Sequence, residues 1–250
     1  MVGNTEKSIP ERSMISMFRR NILRWYSTGR RTYPWRETTD PYRILIAEMM
    51  LQRTKADQVV NVYDEFFTTF NSPDAVIKCS DGRIESMLKP LGLRWRAKNF
   101  KKASQALLHT FGGRVPDTRE ELKTLPGVGD YVAGMVLSTA FCKCEWAVDS
   151  NVVRVFRRYF GIPTSREGRR DAHVTEMARI YSSSRNPGRA NLAIVDFTGI
   201  VCLPRKPLCN SCGLRRRCNY FMNLDDKESK GKAVSTKSSI NTVRGCIDYD

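Results

Sequence analysis

The sequence predicts an all-α fold. Val, Ile and Thr do not alternate with polar residues over long stretches, as half-buried strands would require. From about residue 11 to residue 218, helix start and stop signals recur at regular intervals instead. The chain has 250 residues, 41% of them hydrophobic, so it can bury a core as one large domain or two small ones.

The elements follow in order. Residues 1–10 are polar and read as loose. In "TTDPYRILIAEMMLQ", Asp40 is a candidate N-cap and Pro41 fits the first helical position. In "VPDTREELKTL", Thr118 stands three residues before Glu121, the spacing of a capping box. "LPGVG" lies between two helical segments, and the next helix is expected to begin near Asp130. In "AVDSNVVRVFRRYFG", Asp149 or Ser150 opens a helix that Gly161 closes. Beyond Cys218 the apolar period is lost, and "DDKESKGKAVSTKSSINTVRG" has the composition of a disordered tail.

Lys and Arg number 42 against 26 acids, a formal charge of +16. The excess is spread along the chain, in "RRNILRW", "GRRTYPWR", "RWRAKNFKK", "REGRR" and "LRRRC", with aromatics interleaved. That pattern points to a polyanion such as nucleic acid, with simple solubility as the alternative. No apolar run reaches the roughly 18 residues that span a membrane, and the N-terminus carries no signal-peptide pattern. A soluble, intracellular protein is expected, and in that setting clustered cysteines are metal ligands before they are disulfides.

Cys202, Cys209, Cys212 and Cys218 form C-x6-C-x2-C-x5-C. Short loops let four thiolates converge on one centre. Zinc sites more often pair two close couples. Here one couple is close and two ligands lie outside it, which leans to a [4Fe–4S] cluster. Scattered buried cysteines are the plain alternative. Cys79, Cys142, Cys144 and Cys246 lack such spacing and read as ordinary thiols.

Three further features bear on chemistry. Gly127 and Gly129 allow positive φ and close backbone approach, so the hairpin can offer free N–H groups to a phosphate, or be only an interhelical turn. The run Ile44 to Leu51 is apolar except for Glu48. A helix apolar on every face is buried, which would raise the pKa of Glu48 and make it a candidate general acid. Pairing with an arginine, or reach to the surface, is the alternative. Asp149 is an N-cap, and it can still do chemistry if it faces a cleft.

Taken together, "LPGVG", the Val-Asp pair 19 and 20 residues beyond Gly129, and the cysteine loop resemble the helix-hairpin-helix, endonuclease III-like DNA glycosylases with an iron–sulfur cluster. The likeness runs from about Arg30 to Tyr220. It implies two α-helical lobes with DNA in the groove between them. A six-helix barrel lobe would cover residues 37–148. The cluster lobe would combine residues 11–36 with residues 149–220, and residues 221–250 would form the tail. It implies Asp149 as the catalytic aspartate at the groove mouth. Gly127 and Gly129 would hold a DNA phosphate, and the cluster loop would present Arg205, Lys206 and Arg215 to Arg217 to the backbone.

Bifunctional members carry a lysine two residues past the second hairpin glycine, where it forms an imine with the sugar. This chain has Tyr131, and a phenol forms no imine, so the resemblance implies hydrolysis without strong lyase activity. Of the monofunctional branches, the one that removes thymine or uracil mispaired with guanine is matched by "TDPYRILIAEMMLQRT", "FGGRVP", "RVFRRYFG" and "DFTGIVCLPRKPLC". Adenine glycosylases acting opposite 8-oxoguanine are the alternative; they typically show Gln-Gln in place of Gln52-Arg53. A redox-sensing DNA binder without catalysis is a third reading, which needs neither Glu48 nor Asp149.

On this resemblance, double-stranded DNA with a mismatched base is the partner and the protein acts as a monomer. A mispaired base costs less to extrude. Gln52 and Arg53 would fill the vacated space and Trp95 would wedge the duplex, or simply pack. Asp149 would stabilise the oxocarbenium-like sugar. Glu48 would serve the leaving base or the water, and Tyr131 would line the pocket between them.

Overall fold

The computed structural model describes residues 9–92 and 94–223, with the backbone alone at 94–96. The side chain of Trp95, Cys246 and residues 224–250 of the expected tail lie outside the described residues. Among the described residues there is no strand. Helices follow one another as α1 (Arg12–Gly29), α2 (Pro41–Leu51), α3 (Ala56–Thr69), α4 (Pro73–Lys78), α5 (Asp81–Leu88), α6 (Arg94–Phe111), α7 (Arg119–Thr124), α8 (Asp130–Ala140), α9 (Ser150–Phe160), α10 (Ala172–Ser182), α11 (Pro187–Ile200) and α12 (Asn219–Met222). None of them is long and apolar enough to cross a membrane.

The start signals at Asp40 and Asp149 act as the sequence predicts, and the one at Thr118 does so in part. The Asp40 carboxylate accepts from the N–H groups of Tyr42 and Arg43, with Pro41 opening α2. Thr118 Oγ1 accepts from the Glu121 N–H at 3.3 Å and itself donates to the Glu121 carboxylate at 2.7 Å. The glutamate side chain thus engages the hydroxyl, where a full capping box would have it accept from the Thr118 N–H. Asp149 caps α9, and Gly161 ends it at φ +70, a left-handed conformation that glycine adopts without strain.

Burial divides into two cores. One lies among α2 to α8 around Leu45, Ile46, Tyr63, Phe66, Phe100 and Val136. The other joins α1 to α9, α10 and α11 around Phe18, Ile22, Phe156, Tyr181 and Ile194. Arg19 of α1 fixes this second packing by donating to the carbonyls of Ile180, Tyr181 and Ser183 at the end of α10, where a cation meets the helix's unpaired carbonyls. A few residues cross the division expected from the sequence. Tyr33 and Trp35 pack into the first core, and Val148 packs into the second.

The two cores meet where α8 crosses α11. A Cβ on Gly188 would fall 2.7 Å from the carbonyl oxygen of Ser138, so only glycine permits this approach. Asn191 seals the crossing, its buried amide donating to Ser138 Oγ and to the Glu145 carbonyl, both at 2.9 Å. Elsewhere on the same two helices, Tyr131, Val132 and Met135 of α8 and Leu192, Val195 and Asp196 of α11 line the groove described next.

Candidate active site

Between the two cores runs a groove of about 1530 Å³. Glu48, Gln52, Arg53, Gly129, Tyr131 and Asp149 all line it, although 101 positions separate the first from the last. Arg166, Arg169 and Arg170, on the turn between α9 and α10, line the same groove and are exposed.

The hairpin supplies one edge. The Val128 N–H donates to the Leu125 carbonyl at 3.0 Å, with Pro126 and Gly127 between them and Gly127 at φ +90. This is a type II turn, with proline and glycine at the two positions that favour them. The Gly127 carbonyl accepts from the Gln52 side-chain amide at 2.7 Å, which ties the end of α2 to the turn. Gly129 then opens α8 with no side-chain acceptor over its first N–H groups. Asp130, in that first turn, is engaged by Lys123 at 2.8 Å and by Arg119 at 3.7 Å. Gln52 therefore braces the turn, while Arg53 is exposed in the left-handed region at φ 57, a conformation few residues other than glycine adopt.

Glu48 projects from α2 and is 5% exposed. Its Oε2 has no hydrogen-bond partner among the described residues. Burial pushes its pKa up to about 7, against the opposing pull of the Arg36 charge. Tyr131, the second residue of α8, packs against the first core. Burial holds its phenol well above the ordinary range, and the neighbouring carboxylates of Glu48 and Asp149 push the same way. The phenol is therefore neutral, a hydrogen-bond donor lining the same groove as the two acids.

Asp149 is both a cap and a groove residue, so the two readings of it from sequence are compatible. Its Oδ1 accepts from the N–H groups of Asn151 at 2.9 Å and Val152 at 2.8 Å. Its Oδ2 accepts from the Asn151 side chain at 2.5 Å. The Asn151 side-chain Oδ1 in turn accepts from Arg154 at 2.6 Å, and Arg154 donates to the backbone carbonyls of Thr198 and Cys202.

Sequence reasoning missed a further acid of the groove. Asp196 is 1% exposed on α11 and accepts from Arg36 through both oxygens, at 2.7 and 2.8 Å. The Arg31 N–H donates to it as well. The same signal that exposed Glu48, one carboxylate in an otherwise apolar helix, was present in "NLAIVDFTGI". Nothing local distinguishes Arg36 from the other arginines. Its role depends on a partner 160 residues away.

The cysteine loop closes the second core. Cys202, Cys209, Cys212 and Cys218 carry free thiols, and Cys202, Cys212 and Cys218 pack against that core. Burial raises the thiols of Cys209, Cys212 and Cys218, and Cys202 raises each of them further. Arg158 lies over the loop, donating to the carbonyls of Leu203 and Pro204, with Cys202 Sγ at 3.5 Å. Among the described residues no three His, Cys, Asp or Glu side chains close around a single metal ion. Arg205, Lys206 and Arg215 to Arg217 are exposed on this loop.

Residues 46–180 match the HhH-GPD superfamily of base excision DNA repair proteins. The thymine/uracil-DNA glycosylase of Methanothermobacter thermautotrophicus is 37% identical over 206 residues, covering 82% of this chain and 93% of that protein. The thymine/uracil-DNA glycosylase of Pyrobaculum aerophilum is 38% identical over 219 residues, covering 85% and 95% respectively. The solved structure of a thermostable thymine-DNA glycosylase superposes with a TM-score of 0.79 at 36% identity, covering 84% of this chain and 98% of that one.

Proposed function

The chain belongs to the HhH-GPD superfamily of base excision DNA repair proteins, and from that premise we propose that it is a monofunctional DNA glycosylase that hydrolyses the N-glycosidic bond of thymine or uracil mispaired with guanine. One observation carries this reading: Tyr131, a phenol and not an amine, lines a single groove with two carboxylates, Glu48 and Asp149, edged by arginines and a glycine hairpin.

The steps follow from the side chains. Duplex DNA lies along the groove, with a backbone phosphate on the uncapped N–H groups at the start of α8. The mispaired base leaves the stack and enters the pocket of Glu48 and Tyr131, the mismatch lowering the cost of extrusion. As the bond to C1′ weakens, the sugar gains positive charge, which Asp149 faces with its remaining lone pairs. Glu48, poised near neutrality, exchanges a proton with the leaving base or the attacking water. Tyr131 offers a phenolic donor and no amine, so the abasic product leaves with its strand intact. Gln52 and Arg53, where α2 meets the hairpin, face the space the base vacates.

Cys202, Cys209, Cys212 and Cys218 are the ligands of a [4Fe–4S] cluster in this reading. The C-x6-C-x2-C-x5-C spacing, on a loop whose Cys202, Cys212 and Cys218 pack against the second core, supports this assignment. When bound, the cluster cross-links the loop that carries Arg205, Lys206 and Arg215 to Arg217, and so orders a basic surface beside the groove.

The test is direct. Duplexes holding T·G, U·G or A·8-oxoguanine are incubated with the protein and then treated with alkali. Strand breaks at thymine and uracil, appearing only after alkali, are the expected result. Breaks at adenine alone would assign the chain to adenine removal, and no breaks at all would leave a DNA binder.

A further inference from the structure

Two polar atoms in the groove are buried without a hydrogen-bond partner among the described residues: Nε of Arg36 and Oε2 of Glu48. Buried polar groups are rarely left so, and a pair in one site asks for a ligand. Both terminal nitrogens of the Arg36 guanidinium are engaged. Its Nη1 donates to Asp196 Oδ2 at 2.7 Å and to the Arg31 carbonyl at 3.0 Å, and its Nη2 donates to Asp196 Oδ1 at 2.8 Å. A fork held bidentate by a carboxylate cannot turn. The third nitrogen's Nε–H is therefore fixed in direction, and it has no partner among the described residues. Arg36 lines the groove with Glu48, Tyr131 and Asp149.

An extruded keto pyrimidine matches this pair. Its edge sets a ring N–H between two carbonyl oxygens, so one oxygen can face Nε–H while the N–H faces the Glu48 carboxylate. We propose that Arg36 is a catalytic residue of this enzyme: its Nε–H donates to a carbonyl oxygen of the extruded pyrimidine and stabilises the anion that departs. The inference rests on the glycosylase reading above.

The step balances without any further reactant. The C1′–N1 bond breaks and its electron pair stays with the base, spread over N1 and the carbonyl oxygens. Water adds through oxygen to C1′, and its released proton passes by way of the site's carboxylates to the base. Free pyrimidine and an abasic hemiacetal result. The positive charge of Arg36 faces the oxygen where negative charge grows, a stabilisation stronger in the transition state than in the bound substrate. Asp196 acts through Arg36 as a positioning residue.

Single-turnover excision of thymine, uracil and 5-fluorouracil opposite guanine tests this. The three differ in the stability of the departing anion, thymine being the poorest and 5-fluorouracil the best. Arg36→Lys keeps a charge beside Asp196 but removes the fixed Nε–H. The double variant Arg36→Gln with Asp196→Asn keeps a neutral, hydrogen-bonded pair, and decides the matter where the lysine variant fails to fold. The rate on thymine is expected to fall about 100-fold, the scale of one lost anion-stabilising donor, and to fall far less on 5-fluorouracil. Affinity for a duplex with a tetrahydrofuran abasic analogue, which has no base to contact, should be unchanged. Equal losses on all three bases, weaker binding of the abasic analogue, or undiminished excision would each overturn the inference and leave the glycosylase reading standing. A wild-type protein that excises none of the three would overturn that reading, and this inference with it.

Discussion

Asn151 holds Asp149 from both sides. Its backbone N–H donates to Oδ1 at 2.9 Å and its side-chain amide to Oδ2 at 2.5 Å. The aspartate is thereby fixed in direction at the groove before any DNA arrives. Asparagine at position 149 would keep the cap, because Asn and Asp cap helices about equally well. Asp149→Asn should therefore leave stability nearly unchanged, within about 1 kcal/mol. It should lower excision by about 100-fold or more through loss of the negative charge that faces the sugar. Urea unfolding and single-turnover excision measure the two effects separately, and normal cleavage by the variant would sink the role given to Asp149.

Tyr131 stands where both carboxylates reach it. If that places it over C1′, an amine at the same position has an electrophile in range and two acids beside it to move protons. Tyr131→Lys should gain strand-nicking activity and form an imine that borohydride traps as a covalent protein–DNA adduct. Excision without any trapped adduct would mean that position 131 faces the base and not the sugar.

The helices, their caps and the clustering of Glu48, Tyr131 and Asp149 were legible because each signal is local or sits in a recognisable motif. Asp40 caps α2 with its own side chain, and the Pro-Gly pair at 126–127 dictates its turn. What escaped notice was set by tertiary contact. Arg36 becomes special only by meeting Asp196 from the other core. Arg154 reads as one basic residue among many, until its fork is seen to join Asn151 to the Cys202 carbonyl. The placement of Tyr33 and Trp35 in the first core follows from their stacking, rings 4.7 Å apart, under α3, which no sequence period announces.

Glu48 predicts how stability depends on pH. Its folded pKa, about 7, lies above the ordinary 4.5. Between those values the native state holds a proton that the unfolded chain has lost, so stability falls as pH rises through that window and levels off above it. A shift of that size corresponds to about 3 kcal/mol at most. Glu48→Gln removes the titration. Its stability relative to wild type should therefore rise between pH 5 and pH 7.5, by up to about that amount. Urea unfolding at the two pH values measures it. A constant difference would mean that Glu48 is paired or hydrated in the folded protein.

Gly127 tests the hairpin separately from the chemistry. Its φ of +90 strains any other residue, and an added Cβ would stand 3.3 Å from Asn99. Gly127→Ala should cost about 1–3 kcal/mol at the turn. It should also tilt the start of α8 away from its phosphate. Phosphate contacts carry no sequence information, so affinity should fall by the same factor for a matched duplex and for a T·G duplex. The salt dependence of binding should flatten as well, by about one unit of slope if one phosphate contact is lost. Titrations of both duplexes at several salt concentrations measure this. A loss confined to the mismatched duplex would place the turn against the extruded base and remove it from the backbone contacts.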